Sequence, residues 1–252
     1  MALIDALRHA QHIAVLTGAG VSAESGVPTF RDAQTGLWAE FNPEELATRE
    51  AFARNPKMVW EWYAFRRELI ARAEPNAGHY ALAEMERRWS LSERAKNFTL
   101  ITQNIDGLHE RAGSQNIIEL HGNIFRAKCF REDTRVANWF ATDEIPPRCP
   151  RCGSYMRPDV VWFGENLPRR ALDESFRAAE TCDVFFSIGT SGVVEPAASL
   201  PFIALRNGAM VIEVNPDETP LSARATFHLR GGAGVVMPRV AEKVWERLPT
   251  DN

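Results

Sequence analysis

The sequence predicts an α/β fold, a doubly wound parallel sheet with a smaller domain formed by two inserts, and three observations support this prediction. Short apolar runs rich in β-forming residues recur along the chain, most of them lack hydrophobic–polar alternation, and helical stretches separate several of them. Apolar runs without alternation are typical of strands buried on both faces, and strand–helix alternation favours a doubly wound sheet. The predicted strands are Ile13–Leu16, Phe98–Thr102, Ile117–Leu120, Val184–Ile188 and Met210–Val214. The helical stretches include Asp106–Ala112, Arg170–Glu180 and Pro196–Arg206.

Two segments interrupt the alternation and are predicted to form the smaller domain. Pro43 to Trp89 has a helical pattern throughout, whereas Gly122 to Val160 is irregular and holds three of the four cysteines. We therefore expect residues 33–97 to be a helical insert and residues 123–160 to be a cysteine-bearing insert. The large domain is assigned residues 1–32, 98–122 and 161–252.

The composition of the 252 residues is that of a globular protein, with 45% hydrophobic and 25% charged residues. The net charge of −4 argues against the broad basic surface of a protein that binds nucleic acid. No stretch of ~20 apolar residues is present, so no membrane span is expected. The segment MALIDALRHA lacks the apolar core of a signal peptide, and we therefore expect a cytoplasmic protein.

Small and polar residues follow the predicted strands at the point where each strand ends. These stretches are Thr17-Gly18-Ala19-Gly20, Gln103-Asn104, His121-Gly122, Gly189-Thr190-Ser191 and Asn215-Pro216. In open α/β sheets the ligand crevice lies at the carboxyl ends of the strands. The sequence therefore predicts one shared site at this edge of the sheet.

The segment LTGAGVSAESGVPTFRD, which follows the first strand, is predicted to bind an anionic ligand. Its glycines let backbone N–H groups approach a phosphate, although a glycine loop is also compatible with a simple tight turn. The spacing of Gly18, Gly20 and Gly26 differs from the G-x-G-x-x-G pattern. The acid expected ~20 residues later in dehydrogenases would fall in the helical insert, so the layout is not theirs. Arg31 is the nearest cation, either a phosphate ligand or a surface arginine.

Six motifs together resemble the sirtuin family, in order and at family spacing, from about residue 10 to 245. They are Gly18-Ala-Gly-Val-Ser22, Gly26-Val-Pro-Thr-Phe-Arg31, Thr102-Gln-Asn-Ile-Asp-Gly-Leu-His109, His121-Gly122, Phe163-Gly-Glu165 and Gly189-Thr-Ser191. The resemblance implies a Rossmann-like NAD-binding domain and a small zinc-ribbon-like domain. It also implies NAD-dependent removal of acyl groups from protein lysines, with transfer of the acyl group to ADP-ribose and release of nicotinamide.

The resemblance assigns roles to the residues at the strand ends. His121 would be the general base, because an imidazole can accept a proton near neutral pH; the alternative is a structural histidine. Asn104 would serve catalysis and the ribose, and Asp106 the nicotinamide carboxamide, although Asn and Asp are also common helix caps. The implied NAD-binding residues are Gly18, Ala19, Gly20, Ser22, Phe30, Arg31, Gln103, Asn104, Ile105, Asp106, Gly189, Thr190, Ser191, Asn215 and Ala233. His9, His12, His79, His109 and His228 are interpreted as structural.

Two regions are predicted to bind the acylated substrate. Val161-Trp-Phe-Gly-Glu165 resembles the family strand that pairs with an extended peptide through Val161, Phe163, Gly164 and Glu165; the alternative is a buried strand with an exposed Glu165. Helical spacing puts Tyr63 and Arg66 on one apolar stripe, with Arg67 facing away.

The arginine on that stripe has two interpretations. On residue type alone, Arg66 extends its charge to solvent or pairs with a local glutamate. By resemblance, Tyr63-x-x-Arg66 matches the pair that recognises negatively charged acyl groups in one sirtuin class, and Ala47 matches a small residue that widens the acyl pocket. The resemblance therefore implies desuccinylase and demalonylase activity, with deacetylation in addition.

The cysteines predict an incomplete structural zinc site. Cys149 and Cys152 form one C-x-x-C pair, but Cys129 stands alone and Glu132 occupies the expected fourth position. The fourth ligand is then Glu132, Asp133 or water, and zinc binding itself is left open. Cys182 precedes a strand and is interpreted as a buried apolar residue.

Two other function classes are carried as alternatives. A mono-ADP-ribosyltransferase would share the first chemical step, and the Tyr63/Arg66 pair argues against it. A non-catalytic sensor of NAD or ADP-ribose would not need a base at the ribose, so His121 argues against that alternative.

Overall fold

The computed structural model describes residues 2–28, 42–91, 96–137 and 144–246. The helices are α1 (Ala2–His9), α2 (Ala19–Ala23), α3 (Pro43–Leu46), α4 (Arg49–Arg54), α5 (Pro56–Arg72), α6 (Ala77–Ser90), α7 (Leu108–Arg111), α8 (Arg169–Thr181), α9 (Leu200–Arg206) and α10 (Ala233–Trp245). The strands are β1 (His12–Thr17), β2 (Asn97–Thr102), β3 (Ile117–Glu119), β4 (Gly122–Cys129), β5 (Met156–Val160), β6 (Val184–Ile188), β7 (Met210–Asn215) and β8 (Phe227–Arg230). A short 3-10 helix, Ala197–Ser199, precedes α9.

The large sheet of the described residues is parallel throughout, in the order β3-β2-β1-β6-β7-β8. This confirms the predicted doubly wound α/β fold and all five predicted strands. Ile13 in β1 pairs with Phe98 on one side and with Val184 on the other, so the strand order reverses at β1. Such a reversal opens a crevice at the carboxyl ends of the strands. The sixth strand, β8, was not predicted, because its residues at the sheet edge are only partly buried and form no continuous apolar run.

Helices cover both faces of this sheet. On one face α1, α6 and α10 pack together, with Leu82 and Met85 of α6 against Met237 of α10. On the other face α8 and α9 bury Ala178 and Leu200. The packing of α6 differs from the predicted division of the chain, which placed residues 33–97 in the smaller domain. Helix α6 is apolar on the face that meets the sheet, so it packs with the large domain.

The smaller domain consists of α3, α4 and α5 together with the antiparallel pair of β4 and β5. Its core joins Phe52 of α4 and Trp62 of α5 to Ile124 and Val160 of the two strands. A second cluster places Trp60 of α5 against the cysteine-bearing segment. The segment predicted to be irregular, Gly122 to Val160, thus contains two paired strands, with a register irregularity after Asn123.

Local sequence explains where the two long helices of the inserted segment begin. Helix α5 starts with Pro56 at its first position, and the Asn55 side chain accepts a hydrogen bond from the Met58 N–H. At the start of α6, Asn76 accepts from the Gly78 N–H, while His79 Nδ1 accepts from the Asn76 N–H. This reciprocal capping also fixes the ring of His79. None of the helices in the described ranges combines the length and the apolar character needed to cross a bilayer.

Candidate active site

The glycine loop after β1 is explained by the close approach of two backbones. The Gly18 N–H donates to the Ile188 carbonyl at 3.0 Å and the Gly20 N–H donates to the Gly189 carbonyl at 2.8 Å. A Cβ at either Gly18 or Gly20 would lie 2.8 Å from the Gly189 oxygen, and Gly189 itself has a φ of +59°. Both N–H groups are therefore bonded within the protein, and a larger residue at either position would push the two loops apart. The predicted contacts of Phe30 and Arg31 lie outside the described residues.

One hydrogen-bonded group next to this loop consists of Asn104, Ser22 and Asp106. The Asn104 amide donates to Ser22 Oγ and to the Gly18 carbonyl, each at 3.1 Å. Ser22 Oγ donates to Asp106 Oδ2 at 2.7 Å. Asp106 Oδ1 also accepts from the Leu108 N–H at 2.9 Å, so the carboxylate supports the start of α7 as well as the site. Burial raises the pKa of Asp106 against the lowering effect of these hydrogen bonds.

Two buried histidines adjoin this group, and one of them contacts it. The rings of His79 and His109 are in contact at a tilt of 54°, with their centroids 4.7 Å apart. Because His79 Nδ1 accepts the Asn76 N–H, its proton sits on Nε2, which lies 3.5 Å from Ser22 Oγ. Burial lowers the pKa values of His79 and His109 to about 4 and about 3, so both rings are neutral at pH 7. Sequence reasoning missed the contact with Ser22, since the two residues lie on segments far apart in the chain.

His121 lies in the short connection between β3 and β4, with one ring nitrogen bonded to the backbone. Its Nδ1 is 2.8 Å from the Gln103 carbonyl oxygen, which can only accept, so the proton of the neutral ring sits on Nδ1. Nε2 then carries the lone pair. Burial lowers the pKa of His121 below its ordinary value of 6.5, against the raising effect of the bond to Gln103. The half-buried ring is therefore neutral at pH 7 and able to accept a proton.

The chain turns sharply after this histidine and joins the smaller domain. Gly122 has a φ of +82°, and a Cβ there would lie 2.1 Å from the Asp159 oxygen, so only glycine fits. Beside it, the Val161 N–H donates to the His121 carbonyl at 3.0 Å. The backbone of His121 is thus bonded directly to the segment that follows β5.

Other predicted NAD-binding residues form hydrogen bonds between the ends of three strands. Gln103 Nε2 donates to Thr190 Oγ1 at 3.0 Å, and Asn215 Nδ2 donates to the Thr190 carbonyl at 2.9 Å. The ends of β2, β6 and β7 therefore meet at Thr190, as the sequence predicted. Ala19 and Ser191 are exposed, whereas Ile105 is partly buried against the core of the smaller domain. Ala233 is buried at the start of α10, where its backbone packs against Gly78 of α6.

The three residues predicted for the acyl pocket belong to the core of the smaller domain or border it. Ala47 and Tyr63 are buried in the same apolar cluster. The phenol oxygen of Tyr63 accepts a hydrogen bond from Trp162 Nε1 at 2.9 Å. The Arg66 guanidinium lies 5.0 Å from the centre of the Trp62 ring. Burial raises the pKa of Tyr63 to about 12, while the positive charge of Arg66 opposes that rise.

Arg67 does not face away from the protein as the helical spacing suggested. Its Nε donates to the Ile124 carbonyl at 2.9 Å, and its guanidinium lies over the Trp60 ring. Helix α5 packs against β4 on the side of Arg67. Arg66 and Arg67 are therefore both half-buried, but Arg66 lies near Trp62 whereas Arg67 contacts β4 and Trp60.

The predicted peptide-binding segment extends beyond β5, which ends at Val160. The Phe163 N–H donates to the Ala47 carbonyl at 2.9 Å, and the Phe163 side chain is 49% exposed. Gly164 is also exposed. Glu165 is not, so the alternative of an exposed Glu165 is wrong.

The Glu165 carboxylate is held by an ion pair in the interior. Both of its oxygens accept from Arg157, at 2.5 and 2.8 Å, and one of them also accepts from the Trp162 N–H at 2.9 Å. Arg49 approaches the same carboxylate at 3.2 Å. Burial opposes ionisation, but the bonds and charge of Arg157 lower the pKa of Glu165 to about 2.

The structure brings together the residues predicted to bind a metal. The ligand atoms of Cys129, Glu132, Cys149 and Cys152 all lie within 4.8 Å of one another. Asp133, the other carboxylate considered, does not belong to this group. Both carboxylates are ion-paired, Asp133 with Lys128 at 2.8 Å and Glu132 with Arg151 at 2.9 Å. Three thiolates and one carboxylate are a ligand set that Zn²⁺ accepts, so these four residues fit a structural metal site. Cys182 is buried in the core, as predicted.

Comparisons with known proteins agree with this geometry. The model of the Sir2 family matches residues 18–196. An "NAD-dependent protein deacylase" of Aquifex aeolicus is 53% identical over 237 residues, which cover 94% of this chain and 96% of that protein. "NAD-dependent protein deacylase 1" of Caldanaerobacter subterraneus is 55% identical over 91% of this chain and 92% of its own length.

Solved structures show the same architecture. The crystal structure of a Sir2 homolog–NAD complex superposes with a TM-score of 0.84, at 49% identity, and covers 96% of this chain and 93% of its own. A Sir2 point mutant bound to a p53 peptide and NAD has a TM-score of 0.80 at 32% identity, covering 96% of this chain and 97% of its own. With the matched fold, the cleft residues and relatives at about half identity over nearly the full length, this chain belongs to the Sir2 family.

Proposed function

We propose that the chain is an NAD-dependent protein-lysine deacylase. The observation that carries the proposal is the neutral His121 ring, whose Nε2 lone pair is available at the sheet edge where the NAD-binding residues are predicted. The names of the relatives support it, because they describe NAD-dependent protein deacylases. An NAD complex and a peptide complex among the similar structures are consistent with both substrates.

In this reaction NAD supplies ADP-ribose as the acyl acceptor and releases nicotinamide. The acyl oxygen would displace nicotinamide at C1′ of the ribose. His121 Nε2 would then take the proton of a ribose hydroxyl as that oxygen attacks the acyl carbon, the lysine amine would leave with a proton, and water would supply the 1′-hydroxyl. Asn104 is held by Ser22 and Gly18, which fixes its amide for contact with the ribose. Asp106 would accept the N–H groups of the carboxamide, and its own bonds to Ser22 and Leu108 hold it in place.

The test of this function is nicotinamide release from NAD in the presence of an acyl-lysine peptide. Release should require both substrates, and His121→Ala should lower turnover by about 10²–10⁴-fold, the range expected for a lost general base. The rate should fall at acidic pH with a midpoint below 6.5, because the folded pKa of His121 is lowered. Transfer of labelled ADP-ribose to protein would favour the transferase alternative, and NAD binding without turnover would favour the sensor.

We also propose that the acyl groups favoured are acidic ones, succinyl and malonyl, with deacetylation in addition. Burial lowers the pKa of Arg66, which indicates that its charge is poorly solvated. A carboxylate arriving next to Arg66 would compensate for this by a charge-assisted hydrogen bond. Tyr63, whose phenol stays protonated at pH 7, lies beside it as a further donor.

The acyl preference is tested by Arg66→Met. The variant should lose desuccinylase activity and retain deacetylase activity, so the ratio of the two values of kcat/KM should fall by at least about tenfold, the worth of a hydrogen bond to a charged group. Arg67→Met is the matched control, because Arg67 lies on the same helix but bonds to Ile124. An unchanged ratio in Arg66→Met, or an equal fall in Arg67→Met, would contradict the preference.

We further propose that one structural zinc ion is bound by Cys129, Cys149, Cys152 and Glu132. The short distances among the four ligand atoms support this set. The cluster lies against Trp60 of the smaller domain, and none of the predicted nucleotide-binding residues belongs to it, so its role would be structural.

A further inference from the structure

The ring of Trp162 is fixed in the interior beside Tyr63, one of the residues proposed to bind the acyl group. Trp162 is 2% exposed. The guanidinium of Arg157 lies 3.4 Å from its ring centre, and the Phe52 ring lies 5.4 Å away, centre to centre. The backbone N–H of Trp162 donates to Glu165. Ring and backbone are therefore held independently of the substrate.

The polar end of this ring bonds to Tyr63. Trp162 Nε1 can only donate, so in the 2.9 Å contact the phenol oxygen of Tyr63 is the acceptor. A phenol has a single proton, which lies near the plane of its ring and can take either of two positions. Because the Trp162 N–H occupies one side of the oxygen, the proton of Tyr63 is turned to the other side.

A second set of contacts holds Trp162 in the position that this bond requires. Arg157 is fully buried and bonds both to the Glu165 carboxylate and to the Val160 carbonyl. Its planar guanidinium therefore cannot leave the face of the indole ring without breaking the ion pair. The contacts run from Glu165 through Arg157 and Trp162 to the phenol of Tyr63.

We infer that Trp162 is a specificity-determining positioning residue, which orients the Tyr63 hydroxyl so that it donates to an anionic acyl group. The inference rests on the proposed preference for acidic acyl groups. An acetyl group has no carboxylate to accept this proton, so the orientation of the phenol matters more for succinyl and malonyl substrates than for acetyl. Trp162 acts through Tyr63 and itself needs no contact with the acyl group.

The test compares Trp162→Phe with wild type on succinyl-lysine and acetyl-lysine peptides at saturating NAD. Loss of the N–H should lower the succinyl-to-acetyl ratio of kcat/KM by about threefold to tenfold, the worth of one hydrogen bond. In a Tyr63→Phe background the same substitution should not change the ratio further, because the hydroxyl it orients is gone. Phe52→Leu is the matched control, since Phe52 packs on the same ring without a polar atom. It should leave the ratio unchanged.

Thermal unfolding of each variant separates folding from specificity. If Trp162→Phe does not fold, Trp162→Met replaces it, since methionine adapts to irregular space and carries no N–H. An unchanged ratio, or an equal fall in the ratio with and without the Tyr63 hydroxyl, would overturn the inference while the proposed preference stands. A wild-type enzyme that removes acetyl but not succinyl groups would overturn the preference and the inference together.

Discussion

The buried ion pair between Arg157 and Glu165 predicts a large loss of stability when one partner is removed. Glu165→Gln keeps the shape of the side chain but removes its charge. Arg157 is fully buried and the Glu165 side chain is 13% exposed, so solvent cannot replace the missing partner. A buried charge without its partner is costly, and breaking such pairs destabilises proteins by about 3–5 kcal/mol.

The pKa of Glu165 gives a second route to the same magnitude. The shift from 4.5 to about 2 corresponds to about 3 kcal/mol, at 1.36 kcal/mol per pKa unit. Since the folded pKa is lowered, this contribution is present above pH 4.5 and is lost as the pH falls towards 2. Glu165→Gln should therefore lower the free energy of unfolding by about 3 kcal/mol at pH 7, with a smaller difference near pH 3.

Urea unfolding at pH 7 measures the loss, and Glu84→Gln is the matched control. Glu84 also has its pKa lowered to about 2, by Arg87 and Arg88, but its side chain is 36% exposed. Screening by solvent should limit its loss to about 1 kcal/mol or less. Equal losses in the two variants would refute the reasoning, since burial would then not set the cost. The double variant R157M/E165L, which removes both charges, should be more stable than Glu165→Gln.

Three further predictions concern the glycine loop, the histidine pair and the metal site. Gly20→Ala should lower the free energy of unfolding in urea by about 1–3 kcal/mol, because the added methyl group would clash with Gly189. The same variant should bind NAD more weakly in calorimetry. An unchanged unfolding midpoint would contradict this prediction. Below pH 6.5, His79 and His109 bind protons in the unfolded chain but remain neutral in the folded protein. The free energy of unfolding should therefore fall, as the pH is lowered, by up to about 1.4 kcal/mol per pH unit for each histidine. His109→Asn should reduce this dependence of the free energy of unfolding on pH. Equal slopes in the variant and in wild type would contradict the prediction. Metal analysis should find about one zinc per chain, and Glu132→Ala should lower the zinc content; full retention would remove Glu132 from the ligand set.

The sheet could be predicted because most of its strands carry a local signal. Five apolar runs correspond to β1, β2, β3, β6 and β7. A buried parallel strand can be predicted from its own continuous apolar run, without knowing which strands it pairs with. The edge strand β8 lacks such a run, since solvent reaches its residues. The polar strand ends at Gln103, Thr190 and Asn215 could be expected to meet, because parallel strands present their carboxyl ends at one edge.

The details that escaped prediction depend on contacts between distant segments. The sequence predicts a phosphate-binding role for Gly18 and Gly20, but it carries no signal for the close approach of both residues to Gly189. Helical spacing located Arg67 on its helix, but it could not reveal the β4 carbonyl that receives it. From the sequence alone Glu165 is expected at the surface. Only the structure shows that it bonds to Arg157, eight positions earlier, which is fully buried. Pairings of this kind leave no periodic signal in a single sequence.

The backbone bond from Val161 to the His121 carbonyl has a consequence for motion. Together with the pairing of Gly122 and Val160, it ties the backbone of His121 to β5 and to the segment that follows it. A shift of that segment would therefore move the backbone of His121 with it, so the proposed peptide-binding and proton-accepting parts of the site would be displaced as one piece.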